Sequence, residues 1–311
     1  MSWSLQDIPD LTDRVAVVTG ANGGLGLASA MALAGRGAHV VMAARNQEKA
    51  AAARDEILAA HPDAALEVVE LDLGSLASVR KAADKILAGH DRLDILMLNA
   101  GLMAMPEGTT EDGFERQLGV NVLGHWALLS LLLPRVVSTP GARVVTLSSV
   151  AQHTGRALDV DDPHQRTGYD AWRQYGNTKL AMRHLAQGLQ RQFERAGVDA
   201  AALVAHPGLT NSDLQTTTQQ HGGGGLIGTS SVFLARTTGM TTERGALSQL
   251  RAATDPSASG GEMYGPLLGS TGRPVRKPLV RRGADEAIAR LWEVCERETG
   301  LTLDVTEPVR D

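Results

Sequence analysis

The chain has 311 residues, 43% hydrophobic and 21% charged, which is enough apolar material for a packed core and argues against general disorder. Its 30 Lys and Arg against 35 Asp and Glu give a net charge of −5 with no basic block, so neither nucleic acid nor an anionic membrane surface is expected as a partner. The single cysteine, Cys295, excludes an intramolecular disulfide and a cysteine-built zinc cage.

The first ten residues, MSWSLQDIPD, are polar and acidic and lack the basic and apolar regions of a secretory signal. Short apolar or β-branched runs follow at 14–19 (RVAVVT), 39–44 (HVVMAA), 66–71 (LEVVEL), 94–99 (DILMLN), 143–148 (RVVTLS) and 200–205, and they read as strands buried on both faces. Stretches of helical period separate them at 24–36, 47–60 and 76–88. Two longer helices are expected over 113–137, with Phe114, Leu118, Val122, Trp126 and Leu129 in phase, and over 169–195, with Trp172, Leu180, Leu185, Leu189 and Phe193. The most apolar part, 120–137, is interrupted by Asn121, His125, Pro134 and Arg135, so no membrane span is expected and the protein reads as cytoplasmic. After residue 205 the alternation fades into a Gly-, Thr- and Gln-rich stretch, 207–239, with four glycines in a row at 222–225, read as an insertion within one domain. A helix at 241–253 capped by Thr241 or Thr242, a last short strand at 261–264 and a C-terminal helix at about 284–299 complete the chain. Alternating strand and helix predicts an α/β architecture: one domain over 1–311 with a doubly wound parallel sheet of about seven strands and helices on both faces.

Residues 19–26, TGANGGLG, leave the first strand and open a helix. Gly20, Gly24 and Gly26 would let the backbone turn tightly and approach a pyrophosphate at the helix N-terminus. A glycine-rich turn without a ligand is the alternative, since the spacing is not GxGxxG and Ser29 stands where the third glycine would be. The chain has no GxxxxGK[ST], which argues against a nucleoside triphosphatase. The second strand ends Ala43-Ala44-Arg45-Asn46, with no acid for a ribose 2′-hydroxyl. Arg45 offers a planar fork to a 2′-phosphate instead, favouring NADP(H) over NAD(H); a solvated arginine at a strand end is the alternative.

In this order the motifs resemble the short-chain dehydrogenase/reductases over about residues 14–208. TGANGGLG is similar to that family's TGxxxGxG loop, Leu98-Asn99-Ala100-Gly101 to its NNAG, and His206-Pro207-Gly208 to its PG turn. Asn121, Ser149, Tyr175 and Lys179 resemble its catalytic Asn, Ser, Tyr and Lys. The run GVNVLGHWALLSLLLP, the Ala44-Arg45-Asn46 step and the 26 positions from Ser149 to Tyr175 resemble its retinol-dehydrogenase-like branch. Leu98 replaces the first Asn of NNAG, and Thr178 replaces the Ser of YxxSK. Membrane-bound members of the branch carry an apolar N-terminal anchor unlike MSWSLQDIPD, an expectation against retinoid or membrane-lipid substrates.

The resemblance implies a Rossmann fold and an NADP(H)-dependent oxidoreductase that interconverts a small-molecule carbonyl and alcohol. Tyr175 would transfer the proton, and Lys179, one helical turn on, would lower the tyrosine pKa and bind the nicotinamide ribose. Ser149 would hold the substrate oxygen, and Asn121 a water linking Lys179 to solvent. The cofactor would lie along Gly20, Asn22, Gly24, Leu25, Gly26 and Arg45, then Asp72 and Leu73 at the adenine, Asn99, Ala100 and Gly101 at the ribose, and Pro207, Gly208 and Thr210 at the nicotinamide. A homodimer or homotetramer is expected through the two long helices, and 207–239 is expected to be a lid, with Leu226, Ile227, Val232, Phe233 and Leu234 as its apolar helix.

Several readings stay open at this level. Tyr169 also has a cation at i+4, Arg173, and Ser148 rivals Ser149. Asn121 could bond backbone in a kinked helix, and Asp72 could be a helix N-cap. His125, His153 and His206 read as structural or pocket-lining, with Ala151, Gln152 and His153 beside the substrate, and no metal-ligand spacing is visible. A non-catalytic dinucleotide-sensing protein and a nucleotide-sugar epimerase or dehydratase are the alternative functions.

Overall fold

A strand covered on both faces can be apolar along its whole length, and the runs read above become such strands. A computed structural model of the chain describes residues 3–210, 218, 239–279 and 283–306. The strands are β1 (Val15–Thr19), β2 (His39–Ala44), β3 (Leu66–Glu70), β4 (Ile95–Leu98), β5 (Ala142–Leu147), β6 (Ala200–Ala205), β7 (Met263–Pro266) and β8 (Pro274–Lys277). They form one sheet in the order β3-β2-β1-β4-β5-β6-β7-β8. All neighbours pair parallel except β7 and β8, which form an antiparallel hairpin.

Among the described residues the longer helices are α1 (Gly24–Ala34), α2 (Gln47–Ala60), α3 (Leu76–Gly89), α4 (Gly124–Val137), α5 (Ala171–Ala196), α6 (Thr242–Thr254) and α7 (Ala284–Thr299). Alternate side chains of each strand enter opposite layers. Val17, Val41, Leu96 and Val144 pack with α3, α4, α5 and α7, while Val18, Met42, Met97 and Leu203 pack with α1, α2 and α6. The chain builds outward from β1 to β3 and then returns to place β4 on the other side of β1. This reversal leaves a crevice at the carboxyl ends of β1 and β4, the place where open α/β sheets bind ligands.

Three expectations change. The sheet has eight strands rather than about seven, because β8 is only four residues long and is recruited by the hairpin that sets Met263 opposite Lys277. The helix expected from 113 starts at Arg116, since Gly113 turns at φ +83° and the Glu115 carboxylate caps the N–H groups of Gln117 and Leu118. One turn later it widens into a π turn, Gly119–Leu123, before α4 begins. The helix expected from 169 starts at Ala171, capped by Asp170.

Arg116–Val137 is long and apolar enough to cross a membrane by length and composition. Here it is a core element: Trp126, Leu128, Leu129 and Leu132 are fully buried. The chain's own C-terminal part covers it, with Trp126 Nε1 donating to Leu301 O at 2.9 Å and the Trp126 and Trp292 rings edge-to-face at 5.0 Å. On α5, Gly188 makes room for α7, because a Cβ there would overlap Trp292. The C-terminal part thus covers part of both long helices within one chain.

Candidate active site

The first βα turn folds on itself because glycine allows it. Gly20 and Gly24 sit at φ +69° and +52°, and a Cβ on Gly26 would overlap the Gly20 carbonyl oxygen. The N-cap of α1 is Gly23, which offers no side-chain cap, so the first-turn N–H groups are left for another partner. Thr19 ties this turn to the end of β4: its Oγ1 accepts from Asn99 N at 2.9 Å and Ala100 N at 3.0 Å, and Asn99 Nδ2 donates to Thr19 O at 2.8 Å. Gln249 of α6 completes the junction, donating to Ser29 Oγ at 2.6 Å and Asn99 Oδ1 at 3.2 Å. The Asn99 side chain is therefore spent on architecture. Gln249 was not singled out from the sequence, although it is a polar residue on the apolar side of an amphipathic helix.

A cleft of about 700 Å³ runs from this turn to α5, and every residue expected to touch the dinucleotide borders it. At one end Arg45 is 71% exposed, with Nη1 3.9 Å from Asp72 Oδ2. Asp72 is not the helix cap: Ser75 caps α3, and Asp72 Oδ1 accepts from Gly74 N at 2.8 Å within the loop. Asn46 caps α2 by accepting from Lys49 N at 2.8 Å. Lys49, which no sequence motif marks, also borders the cleft with Arg45.

At the other end α5 presents Tyr175 and Lys179 one turn apart, both buried. Lys179 Nζ donates to Leu147 O at 3.1 Å and lies 5.7 Å from the centre of the Tyr175 ring. Ser149 follows β5, caps the short turn Val150–His153 and borders the same cleft as Tyr175. Ser148 is tied elsewhere, donating to Lys179 O at 2.7 Å. Tyr169 lies outside the cleft; its hydroxyl donates to Met105 O and accepts from Gln117 Nε2, both at 2.9 Å.

Asn121 does not border the cleft. Its side chain bonds backbone, with Oδ1 accepting from Leu102 N at 2.7 Å and Nδ2 donating to Leu102 O at 2.9 Å and Thr178 Oγ1 at 3.0 Å. Thr178 in turn donates to Tyr175 O at 2.8 Å, so the replacement of Ser by Thr keeps a working hydroxyl. The Asn121 carbonyl, in the π turn, faces His125 Nδ1 at 3.0 Å, and His125 Nε2 meets Thr19 Oγ1 at 3.0 Å. Burial drives the His125 pKa down to about 4, so the ring is neutral. A carbonyl can only accept, which puts the single ring proton on Nδ1.

Burial also decides the tyrosine and lysine. Tyr175 is pushed up to about 12, with the neighbouring Ser149 hydroxyl opposing, and Lys179 is driven down to about 8. The expectation that an ammonium would pull the phenol down is thus reversed in this arrangement. Both groups are desolvated together, and Nζ is directed at Leu147 O.

The facing wall carries Pro207, Gly208, Leu209 and Thr210. Gly208 turns at φ +74°, where a Cβ would overlap Ser270 O, and Leu209 N donates to that oxygen at 2.7 Å. Leu102, Met103, Val150, Ala151 and Trp172 add apolar lining to the cleft that Tyr175 borders. Of the residues expected beside the substrate, Ala151 borders the cleft, whereas Gln152 is buried against Met263 Sδ. The expected lid helix (Leu226, Ile227, Val232, Phe233, Leu234) and the glycines 222–225 lie outside the described residues. Thr218 is described: it is buried and donates to Met103 O at 2.7 Å.

Comparison with known proteins gives the same direction. The short chain dehydrogenase family profile matches residues 14–222. Retinol dehydrogenase 13 of Homo sapiens is 40% identical over 210 residues, a match spanning 67% of this chain and 62% of that protein's length. Polyprenol dehydrogenase of Mus musculus is 35% identical over 302 residues, covering 94% of this chain and 86% of the relative. A crystal structure of a protein from Mycobacterium Paratuberculosis superposes with a TM-score of 0.76 at 37% identity, covering 97% of this chain and 99% of the other.

Proposed function

Because the chain belongs to the short-chain dehydrogenase/reductase family, in its retinol-dehydrogenase-like branch, we propose that it interconverts an alcohol and a carbonyl with NADP(H). The observation that carries this reading is the meeting of Ser149, Tyr175 and Lys179 in the same cleft as the glycine turn. The dinucleotide, when bound, supplies or takes the hydride at carbon. The residues present fit it: the uncapped N-terminus of α1 suits a pyrophosphate, and Arg45 with Lys49 suits a 2′-phosphate. Asp72 and Leu73 serve the adenine, Ala100 and Gly101 the ribose, and Lys179, Pro207, Gly208 and Thr210 the nicotinamide end.

In the reducing direction Tyr175 donates its proton to the substrate oxygen, and in the oxidising direction it takes one back. A hydroxyl pushed up to about 12 holds its proton at neutral pH, as an acid must before it acts. Ser149 borders the same cleft, so a substrate oxygen placed between the two hydroxyls receives a hydrogen bond from each. Lys179, driven down to about 8, exchanges protons readily near neutrality and recharges the tyrosine. Asn121 holds the wall in place through Leu102 and Thr178. The apolar far end favours a neutral, apolar substrate. We place the enzyme in the cytosol, where its apolar helix serves its own core.

A screen of NADPH consumption against ketones, aldehydes, quinones and steroids tests this reading. Turnover of at least one class is expected. No turnover across the panel, with NADPH still bound, would make the protein a dinucleotide sensor instead.

A further inference from the structure

We propose that His39, Glu67 and His90 form a binding site for a divalent transition metal, of which zinc is the best match, on the sheet edge remote from the cleft. His39 opens β2, Glu67 lies in the edge strand β3, and His90 is the C-cap of α3. One donor atom from each lies within 4.8 Å of the other two, and among the described residues this is the one such group of three. His90 Nε2 and Glu67 Oε2 are 3.0 Å apart, and the His39 and His90 rings meet edge-to-face at 4.7 Å.

A second observation points to a ligand. His39 Nε2 is buried with no hydrogen-bond partner. An orphaned buried ring nitrogen carries a desolvation cost that its surroundings do not repay, and an ion is one of the few things that would. Two imidazoles and a carboxylate are a common donor set for zinc, with water completing the shell, and the three residues are half-buried rather than sealed off. Zinc bonds of about 2.0–2.2 Å place tetrahedral donors roughly 3.4 Å apart, so closure needs donor movements of about an ångström.

The competing partner is Lys85, whose ammonium stands 3.1 Å from Glu67 Oε1 and also donates to Val68 O. It is 54% exposed and can swing to water, while Oε2 faces the imidazoles in either case. The site sits at the start of β2, whose end borders the cleft, and five strand residues make that roughly 16 Å. Its metal would take no part in redox chemistry. It would staple β3, which has a neighbour on one side only, and the end of α3 to β2.

The test is a Co²⁺ titration of protein freed of any histidine tag, read by visible d–d absorption, followed by Zn²⁺ competition and thermal melts. One Co²⁺ per chain is expected, displaced by Zn²⁺, with Tm rising about 4 °C at a hundredfold excess of Zn²⁺ over Kd. The His39→Asn and His90→Asn variants should each lose the band and the rise while keeping the wild-type far-UV circular dichroism in EDTA. Lys85→Ala, which leaves all three donors in place, should tighten Co²⁺ binding. No saturable band in wild type, a band that survives in the His39→Asn/His90→Asn double variant, or weaker binding by Lys85→Ala would overturn the proposal.

Discussion

Replacing Arg45 with Ala removes the cation proposed to meet the 2′-phosphate of NADP(H), and the size of the effect follows from its surroundings. A charge-assisted hydrogen bond contributes about 1.5–3 kcal/mol. With 71% of the side chain exposed, solvent screening puts Arg45 at the low end of that range. About 1.5 kcal/mol is roughly a tenfold loss of affinity. Two neighbours adjust it in opposite directions: Lys49 keeps one positive charge on the wall, while Asp72 loses its counter-ion and then faces the phosphate. The Arg45→Ala/Lys49→Ala pair should accordingly lose on the order of a hundredfold. NADH lacks the phosphate, so its affinity should be unchanged in both variants. Calorimetric titration of both dinucleotides at two salt concentrations reads all of this, since the phosphate contribution weakens as salt rises. Wild type binding NADH as tightly as NADPH, or Arg45→Ala weakening both alike, would refute the reasoning.

Lys179 carries a pH signature. Its folded pKa, about 8, is below that of the unfolded chain, so between about pH 8 and 10 the unfolded state holds the extra proton and stability rises with pH. Melts of wild type against Lys179→Met should show that rising limb in wild type alone; the same limb in the variant would remove Lys179 as its source. His125 acts at the other end: with a folded pKa of about 4, it costs stability as pH falls from about 6.5 towards 4, and His125→Asn should soften that loss in acid titration of the melting temperature. Gly188→Ala puts a methyl into Trp292 and should destabilise by about 1–3 kcal/mol in urea unfolding; a neutral result would mean that α7 does not hold to α5 as described.

Strands that had to be buried on both faces were the most legible part of the chain. The runs at His39–Ala44 and Ala200–Ala205 match the observed strands end to end, as does the helix Gln47–Ala60. β8 escaped because four residues carry too little pattern, and its hairpin partner alone makes it a strand. The π turn at Gly119–Leu123 escaped because an apolar helix reads the same with or without one extra residue in a turn. In the cleft, motif positions marked the glycine turn and the Ser149, Tyr175 and Lys179 group, which border it together. The pKa direction of Tyr175 was not legible, since it depends on how much water burial removes. Nor was the Asn121 side chain's attachment to Leu102, a contact across 19 residues of chain. His39, Glu67 and His90 share no sequence spacing that metal motifs use; strand register and the end of α3 bring them together.

The central claim is that Tyr175, beside Ser149 in the cleft and backed by Lys179, moves the proton that accompanies hydride transfer. Single-turnover oxidation of NADPH by a carbonyl substrate from the screen, in wild type and Tyr175→Phe, tests it most directly. The phenylalanine keeps the ring against Trp172 and removes only the hydroxyl. The account predicts a rate lower by about 10²–10⁴-fold with NADPH affinity unchanged. A Tyr175→Phe rate close to wild type at the same NADPH affinity would contradict it.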